Sequence, residues 1–308
     1  MNTQISFIIS CGADAGMGHL YRSLTLARQL KEKGFESHFY VTDGSCASFV
    51  SDFPCSKISD EWPSDTFCAI IDGIKFPSDF IEFVKRKYER LIFIDDLGGR
   101  PISADLLVNP NLFAHTLDYS FQHGKSALGL DYAIINPQFS ENSSLARNEP
   151  RALITYGGGI TAKLSLQVAE QLSSMFDGPI DVALGNFLLK QDIPYAKNVY
   201  LHRNANMVSL MSKATVYIGG LGTSYIEAMA SGLYCVTSAI VDNQEPVLPL
   251  AKALGSKTVM PFCARLVASE AKMALNQEFS VNLSVKIDGK GTARVADLIT
   301  EVLNKPYK

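Results

Sequence analysis

The stretch Gly219-Gly220-Leu221-Gly222-Thr223-Ser224-Tyr225-Ile226-Glu227 follows an apolar run over 214–218 and leads into helix-forming residues. Glycine lets the backbone turn sharply and approach a ligand, and the unpaired N–H groups at the start of the next helix point at whatever anion lies there. Gly222, Thr223 and Ser224 are thus candidates for holding phosphate. Glu227, about one helical turn on, suits a carboxylate that accepts both hydroxyls of a ribose; an ordinary first-turn Glu stabilised by the helix dipole is the plainer alternative. A nucleoside diphosphate would fit that arrangement. Asn243 and Gln244 follow the next strand and offer paired amide donors and acceptors to a sugar.

A second glycine loop, Cys11-Gly12-Ala13-Asp14-Ala15-Gly16-Met17-Gly18, ends at His19. A helix N-terminus lowers the proton affinity of an imidazole, so His19 is expected to be neutral and able to act as a base, with packing or capping as the alternative. The remaining histidines, His38, His115, His123 and His202, have no HxxxH or HxH spacing and no cysteine cluster beside them, so zinc is not expected. Asp95-Asp96 would hold magnesium only if both carboxylates faced one ion, and adjacent residues of an extended chain point to opposite faces. No metal and no cofactor are expected. The glycine loops match neither the dinucleotide fingerprint nor the P-loop, and there is no Gly-x-Ser-x-Gly elbow, which disfavours nicotinamide, ATPase and acyl-enzyme chemistry.

These residues need rigid elements behind them, and the chain supplies apolar runs alternating with amphipathic stretches. Residues 5–10 read as a strand buried on both faces; Leu20, Leu24, Ala27 and Leu30 then recur at helical spacing until Gly34. Strands over 37–41, 67–71, 91–94 and 106–108, with a helix over 80–88, continue the βαβ rhythm of a parallel sheet. Ligands gather at the carboxyl ends of such strands, which puts Asp72, Asp95 and Asp96 on the ligand side unless they cap turns or helices. The polar segment 139–150 reads as a linker. A second series opens with a strand over 152–156, the triple glycine Gly157-Gly158-Gly159 and a helix over about 162–174. Strands over 180–184 and 199–201, a helix at 207–211, the Glu227 helix, a strand over 234–239 and helices through 254, near 265–275 and over 293–303 complete it.

At 308 residues the chain exceeds one comfortable core. Two domains of roughly 150 residues each follow, 1–140 and 151–308, with the last helix able to pack back toward the first. The balance of 28 Lys and Arg against 31 Asp and Glu, a net charge of −3 without long runs of either sign, argues against a nucleic-acid or anionic-membrane surface. The six cysteines lack CxxC spacing and read as reduced. No apolar stretch approaches the roughly 20 residues of a bilayer span, and the first residues lack a signal-peptide pattern. The expectation is a cytoplasmic monomer whose partner is a small polar or anionic molecule.

Read together, Gly16-Met17-Gly18-His19-Leu20-Tyr21-Arg22, the 220–227 loop and Asp242-Asn243-Gln244 resemble the UDP-sugar hydrolases of the pseudaminic acid pathway, relatives of the GT-B glycosyltransferases. Ile94-Asp95-Asp96-Leu97, Asn109-Pro110-Asn111, Gly129-Leu130-Asp131-Tyr132, Pro137-Gln138-Phe139, Tyr156-Gly157-Gly158-Gly159 and Ile287-Asp288-Gly289-Lys290-Gly291 extend the likeness nearly over the whole length, in order. The resemblance implies an α/β GT-B fold, two Rossmann-like domains facing a central cleft, with UDP held mainly by the C-terminal one. It implies that His19 is the base that activates water at the anomeric carbon. Gly222, Thr223 and Ser224 would bind the diphosphate, Glu227 the ribose, and Asn243 and Gln244 the sugar or phosphate, while the 204–207 loop, with Asn206 and Met207, would read uracil through its backbone. Gly16, Gly18, Arg22, Asp72 and Gly158 complete the substrate contacts so implied. The implied reaction is metal-independent hydrolysis of a UDP-linked amino-deoxy sugar to free sugar and UDP, in a nonulosonic acid route.

The chain departs from that pattern at three points. Where the family carries an Arg and an Asp in the first loop, this loop is shorter and reads Ser10-Cys11-Gly12-Ala13-Asp14. Asp72-Gly73-Ile74-Lys75 stands in place of Asp-x-Tyr, and Ile226-Glu227-Ala228 in place of Trp-Glu-Arg, closer to the Glu-Ala of glycosyltransferases. A glycosyltransferase using the same donor and a non-catalytic nucleotide-sugar-binding partner are therefore the alternative readings.

Overall fold

Strands buried on both sides are stable only when both sheet faces are covered, and several strands of this chain are buried along nearly their whole length. The computed structural model describes residues 4–58, 67–145, 147, 149–158, 161–185, 196–276 and 287–305, without the side chain of Asn243. It divides into two compact units, residues 1–134 with 290–308, and residues 135–289.

The first unit holds β1 (Gln4–Ile9), β2 (Glu36–Val41), β3 (Cys55–Lys57), β4 (Cys68–Asp72), β5 (Arg90–Ile94), β6 (Leu106–Asn109) and β7 (Lys125–Leu128). All pair in parallel, in the order β3-β2-β1-β4-β5-β6-β7. The order in which strands are added reverses between β1 and β4, the switch point at which doubly wound folds open a crevice. Helix α1 (Gly18–Glu32) buries the Leu20, Leu24, Ala27 and Leu30 stripe. It ends because Gly34 turns at φ +87, letting the N–H groups of Gly34 and Phe35 close on the carbonyls of Lys31 and Leu30. Helix α2 (Ser78–Lys87) presses Ile81 and Val84 onto a core with Ile71, Leu91 and Phe93. The chain's closing helix, Gly291–Leu303, also belongs to this unit: it packs on α1, buries Val295 and Ile299, and pairs Asp297 with Lys33 and Glu301 with Lys125.

The second unit holds β8 (Ala152–Thr155), β9 (Ile180–Leu184), β10 (Val199–Arg203), β11 (Val216–Gly219), β12 (Tyr234–Thr237) and β13 (Lys257–Thr258), parallel in the order β10-β9-β8-β11-β12-β13. Its helices are α3 (Gln138–Glu141), α4 (Ala162–Ser173), α5 (Met207–Lys213), α6 (Thr223–Ala230), α7 (Leu248–Ala253) and α8 (Ala264–Leu275). Helices α4 and α8 pack on each other, and Val168, Ala169, Val267 and Ala271 share a core with Ile154 and Ile218. The switch point here lies between β8 and β11.

Three strands carried no sequence signal: β3, β7 and β13 are short sheet edges whose side chains, Ala127 apart, are exposed or half-buried, with no apolar run. The polar segment read as a linker begins the second unit instead. Phe139 and Asn142 are buried, and Asn142 Nδ2 donates to the Val208 carbonyl at 3.0 Å. Its serines satisfy local carbonyls, Ser140 Oγ on Pro137 and Ser143 Oγ on Ser140, so a segment hydrophilic in sequence still forms a packed turn.

Candidate functional site

The switch point of the first unit gathers four charged side chains from three places. His19 and Arg22 stand one turn apart on α1, Asp72 ends β4, and Asp96 follows β5. The Arg22 guanidinium forks between both carboxylates. Its Nε donates to Asp72 Oδ2 at 2.7 Å, Nη1 to Asp96 Oδ1 at 2.9 Å and Nη2 to Asp96 Oδ2 at 2.8 Å, and Nη2 also bonds Asp72 Oδ1. Ser23 Oγ adds a bond to Asp72 at 3.0 Å, and Asn111 Nδ2 one to Asp96 Oδ1 at 3.0 Å. Asp95 points the other way, to Arg100, Tyr119 and the Gly98 N–H, as adjacent residues of an extended chain must.

His19 lies over this pair with 11% of its side chain exposed. Nδ1 is 3.1 Å from the Ser10 carbonyl, which can only accept, so Nδ1 carries a proton; Nε2 is 3.2 Å from Asp96 Oδ2. Burial alone would lower the imidazole pKa, but the Asp72 charge and the Asp96 hydrogen bond outweigh it and raise the value above 6.5. This corrects the expectation of a lowered proton affinity: the two carboxylates beside the ring prevail over burial and the neighbouring guanidinium. Asp96 is held well below the ordinary carboxylate range, because the Arg22 and His19 charges overcome the cost of its burial. With His19 protonated, two cations face two anions and the cluster is neutral.

Arg22 and Asp72, expected among the substrate contacts, are 6% and 0% exposed and bonded to each other, with Arg22 also bonded to the Asp96 that meets His19. His19, Asp72 and Asp96 are also close enough to surround a cation, but Arg22 already fills that role. Gly16 closes the first loop through reciprocal backbone bonds with Gly12, and exposed Gly18 opens α1, whose first turn has no side-chain cap. Asp96 was expected on the ligand side but without a role, and Asn111 and the Ser10 carbonyl were missed as site groups. The Asp95-Asp96 pair and the Asn109-Pro110-Asn111 motif were their sequence traces.

At the switch point of the second unit the chain leaves β11 through Gly219. A side chain there would put Cβ 2.2 Å from the Thr155 carbonyl, so glycine is required. Gly222 is the N-cap of α6 and brings no capping side chain, and among the described residues the N–H groups of Leu221 and Gly222 donate to nothing. Thr223 and Ser224 open the helix half-buried. Glu227 lies one turn on; burial pushes its carboxyl up to about 8, opposed by a hydrogen bond from Ser224. Gln244 folds over the loop, its Oε1 accepting from Ile240 N–H at 3.2 Å and its amide lying against Gly220.

Gly158, in the loop after β8, packs its backbone against Gly185. Gly159 and the side chain of Asn243 lie outside the described residues, though the Asn243 backbone shares the 3-10 turn Asp242–Val247 with Gln244. Asn206 and Met207 stand apart from this group, since β10 is three positions from β11, roughly 14 Å across the sheet. There Asn206 caps α5, accepting from the Ser209 N–H at 3.1 Å, after Asn204 at φ +51.

No protein-family model matches the chain. It is 27% identical over 269 residues to an uncharacterised protein of Methanocaldococcus jannaschii, covering 75% of this chain and 54% of that one, so it spans about half that relative's length. It is 25% identical over 265 residues to the UDP-2,4-diacetamido-2,4,6-trideoxy-beta-L-altropyranose hydrolase of Campylobacter jejuni, covering 79% of this chain and 93% of the hydrolase. Among solved structures, the calicheamicin glycosyltransferase superposes with a TM-score of 0.67 at 11% identity over 100% of both chains. The spinosyn forosaminyltransferase does so with 0.58 at 13% identity over 98% of this chain and 96% of that one. These likenesses fix the fold as the α/β GT-B fold.

Proposed function

We propose that this chain hydrolyses a UDP-linked amino-deoxy sugar to free sugar and UDP. The observation that carries the catalytic part is the buried quartet of His19, Arg22, Asp72 and Asp96, which stabilises a protonated imidazole beside a crevice-forming switch point. That is the state a base reaches after taking a proton. In this reading a water displaces the long Nε2–Asp96 contact, gives its proton to unprotonated His19, and its oxygen attacks the anomeric carbon. The carbon–oxygen bond to UDP breaks, and the leaving diphosphate takes the electron pair. The N–H groups of residues 221–224 receive its developing charge, as preorganised donors do at an oxyanion. The named Campylobacter relative supports the substrate class, a UDP-linked 2,4-diacetamido-2,4,6-trideoxy sugar.

A glycosyltransferase is the second reading, favoured by Ile226-Glu227-Ala228; His19 would then deprotonate an acceptor hydroxyl instead of water. UDP release from a panel of UDP-sugars, without acceptor and in oxygen-18 water, separates the two. Hydrolysis puts one labelled oxygen on the sugar, and His19→Asn abolishes turnover while UDP affinity stays. Label on UDP, or release only after an acceptor is added, would sink the hydrolase reading.

A further inference from the structure

Tyr217 is buried in the middle of β11, 1% exposed, two residues before the glycine loop. Its hydroxyl donates to the Gly220 carbonyl at 3.0 Å. Burial keeps the phenol protonated and therefore a donor. The ring reaches that carbonyl by passing under Gly219, where a Cβ would stand 2.5 Å from the phenol oxygen, so the absent side chain at 219 and the phenol at 217 form one device.

A trans peptide sets its C=O and N–H antiparallel. Holding the Gly220 carbonyl inward on the phenol therefore turns the Leu221 N–H out of the core, beside the free N–H of Gly222 and the first turn of α6. Without the phenol the carbonyl would lose its buried partner, and that peptide could flip and swing its oxygen toward the bound anion. We propose that Tyr217 is a positioning residue for the diphosphate, acting through the Gly220–Leu221 peptide and touching no ligand itself. The proposal rests on the reading of this loop as the diphosphate half of a UDP-sugar site.

The test compares UDP, pyrophosphate and uridine binding to the full chain and to its Tyr217→Phe variant, by calorimetry for the anions and ligand-observed NMR for uridine, with thermal unfolding as the folding check. Losing one well-placed hydrogen bond should weaken UDP and pyrophosphate roughly tenfold and leave uridine unchanged. A merely structural tyrosine would lower the melting temperature without splitting the ligands. Unchanged UDP and pyrophosphate affinity, or equal weakening of all three ligands, overturns the proposal while leaving the nucleotide reading intact. Failure of the unmodified chain to bind UDP and pyrophosphate overturns both.

Discussion

Both ring nitrogens of His19 face acceptors, so as a base it must first lose a proton that two carboxylates help it keep. The sign of the pH dependence follows. The base form grows as pH rises through a value above 6.5, so kcat/KM for hydrolysis should climb on an ascending limb displaced to the alkaline side of an ordinary histidine. Asp96→Asn removes one raising partner and should move that limb to lower pH; a pH–rate profile of both proteins checks it, and an unmoved limb would count against His19 as the titrating group. The stability linkage runs in the same sense: His19's contribution is fully present below its unfolded pKa and is lost as pH rises through the raised folded one. Glu227, with its pKa near 8, is an uncharged acid at neutrality. As a carboxylate it would accept both ribose hydroxyls, so UDP affinity should rise with pH through about 8, and Glu227→Gln should flatten that rise in calorimetric titrations. The position of His19 was legible in the sequence, but its raised proton affinity was not, because Asp96 reaches it from 77 residues away.

Among the elements, what the sequence made legible depended on burial. Strands β1, β4, β5 and β8 bury nearly every residue and announce themselves as largely apolar runs, whereas β7 buries only Ala127 of its four residues and reads as loop. The polar segment misled for a related reason: its serines and asparagines bond to nearby carbonyls, and hydrophilicity cannot tell a turn packed by Phe139 from a tether. The closing helix follows the same logic. Ile299 is fully buried on its inner face, so Ile299→Ala should destabilise the first unit by about 2–5 kcal/mol, read as a lower urea midpoint for that unit. A midpoint unchanged from the parent would mean that this helix adds nothing to the core it covers.

For the molecule as a whole, the repeated strand–glycine loop–helix pattern made two parallel sheets readable. The resemblance implied the GT-B fold and the last helix was expected to pack back toward the first domain, while the points at which the chain passes between the units were not readable. Composition is nearly uniform across residues 134–135 and 289–290, where the chain passes from one unit to the other. That path sets an order on the ribosome. All of residues 135–289 are synthesised before the helix Gly291–Leu303 that covers α1, so the second unit can complete its core while the first still exposes the apolar face awaiting that helix. The histidine stands on α1, so the helix that carries it receives its cover only after the whole second unit has been made, although the groups that bond it all come from the first unit's earlier strands and loops.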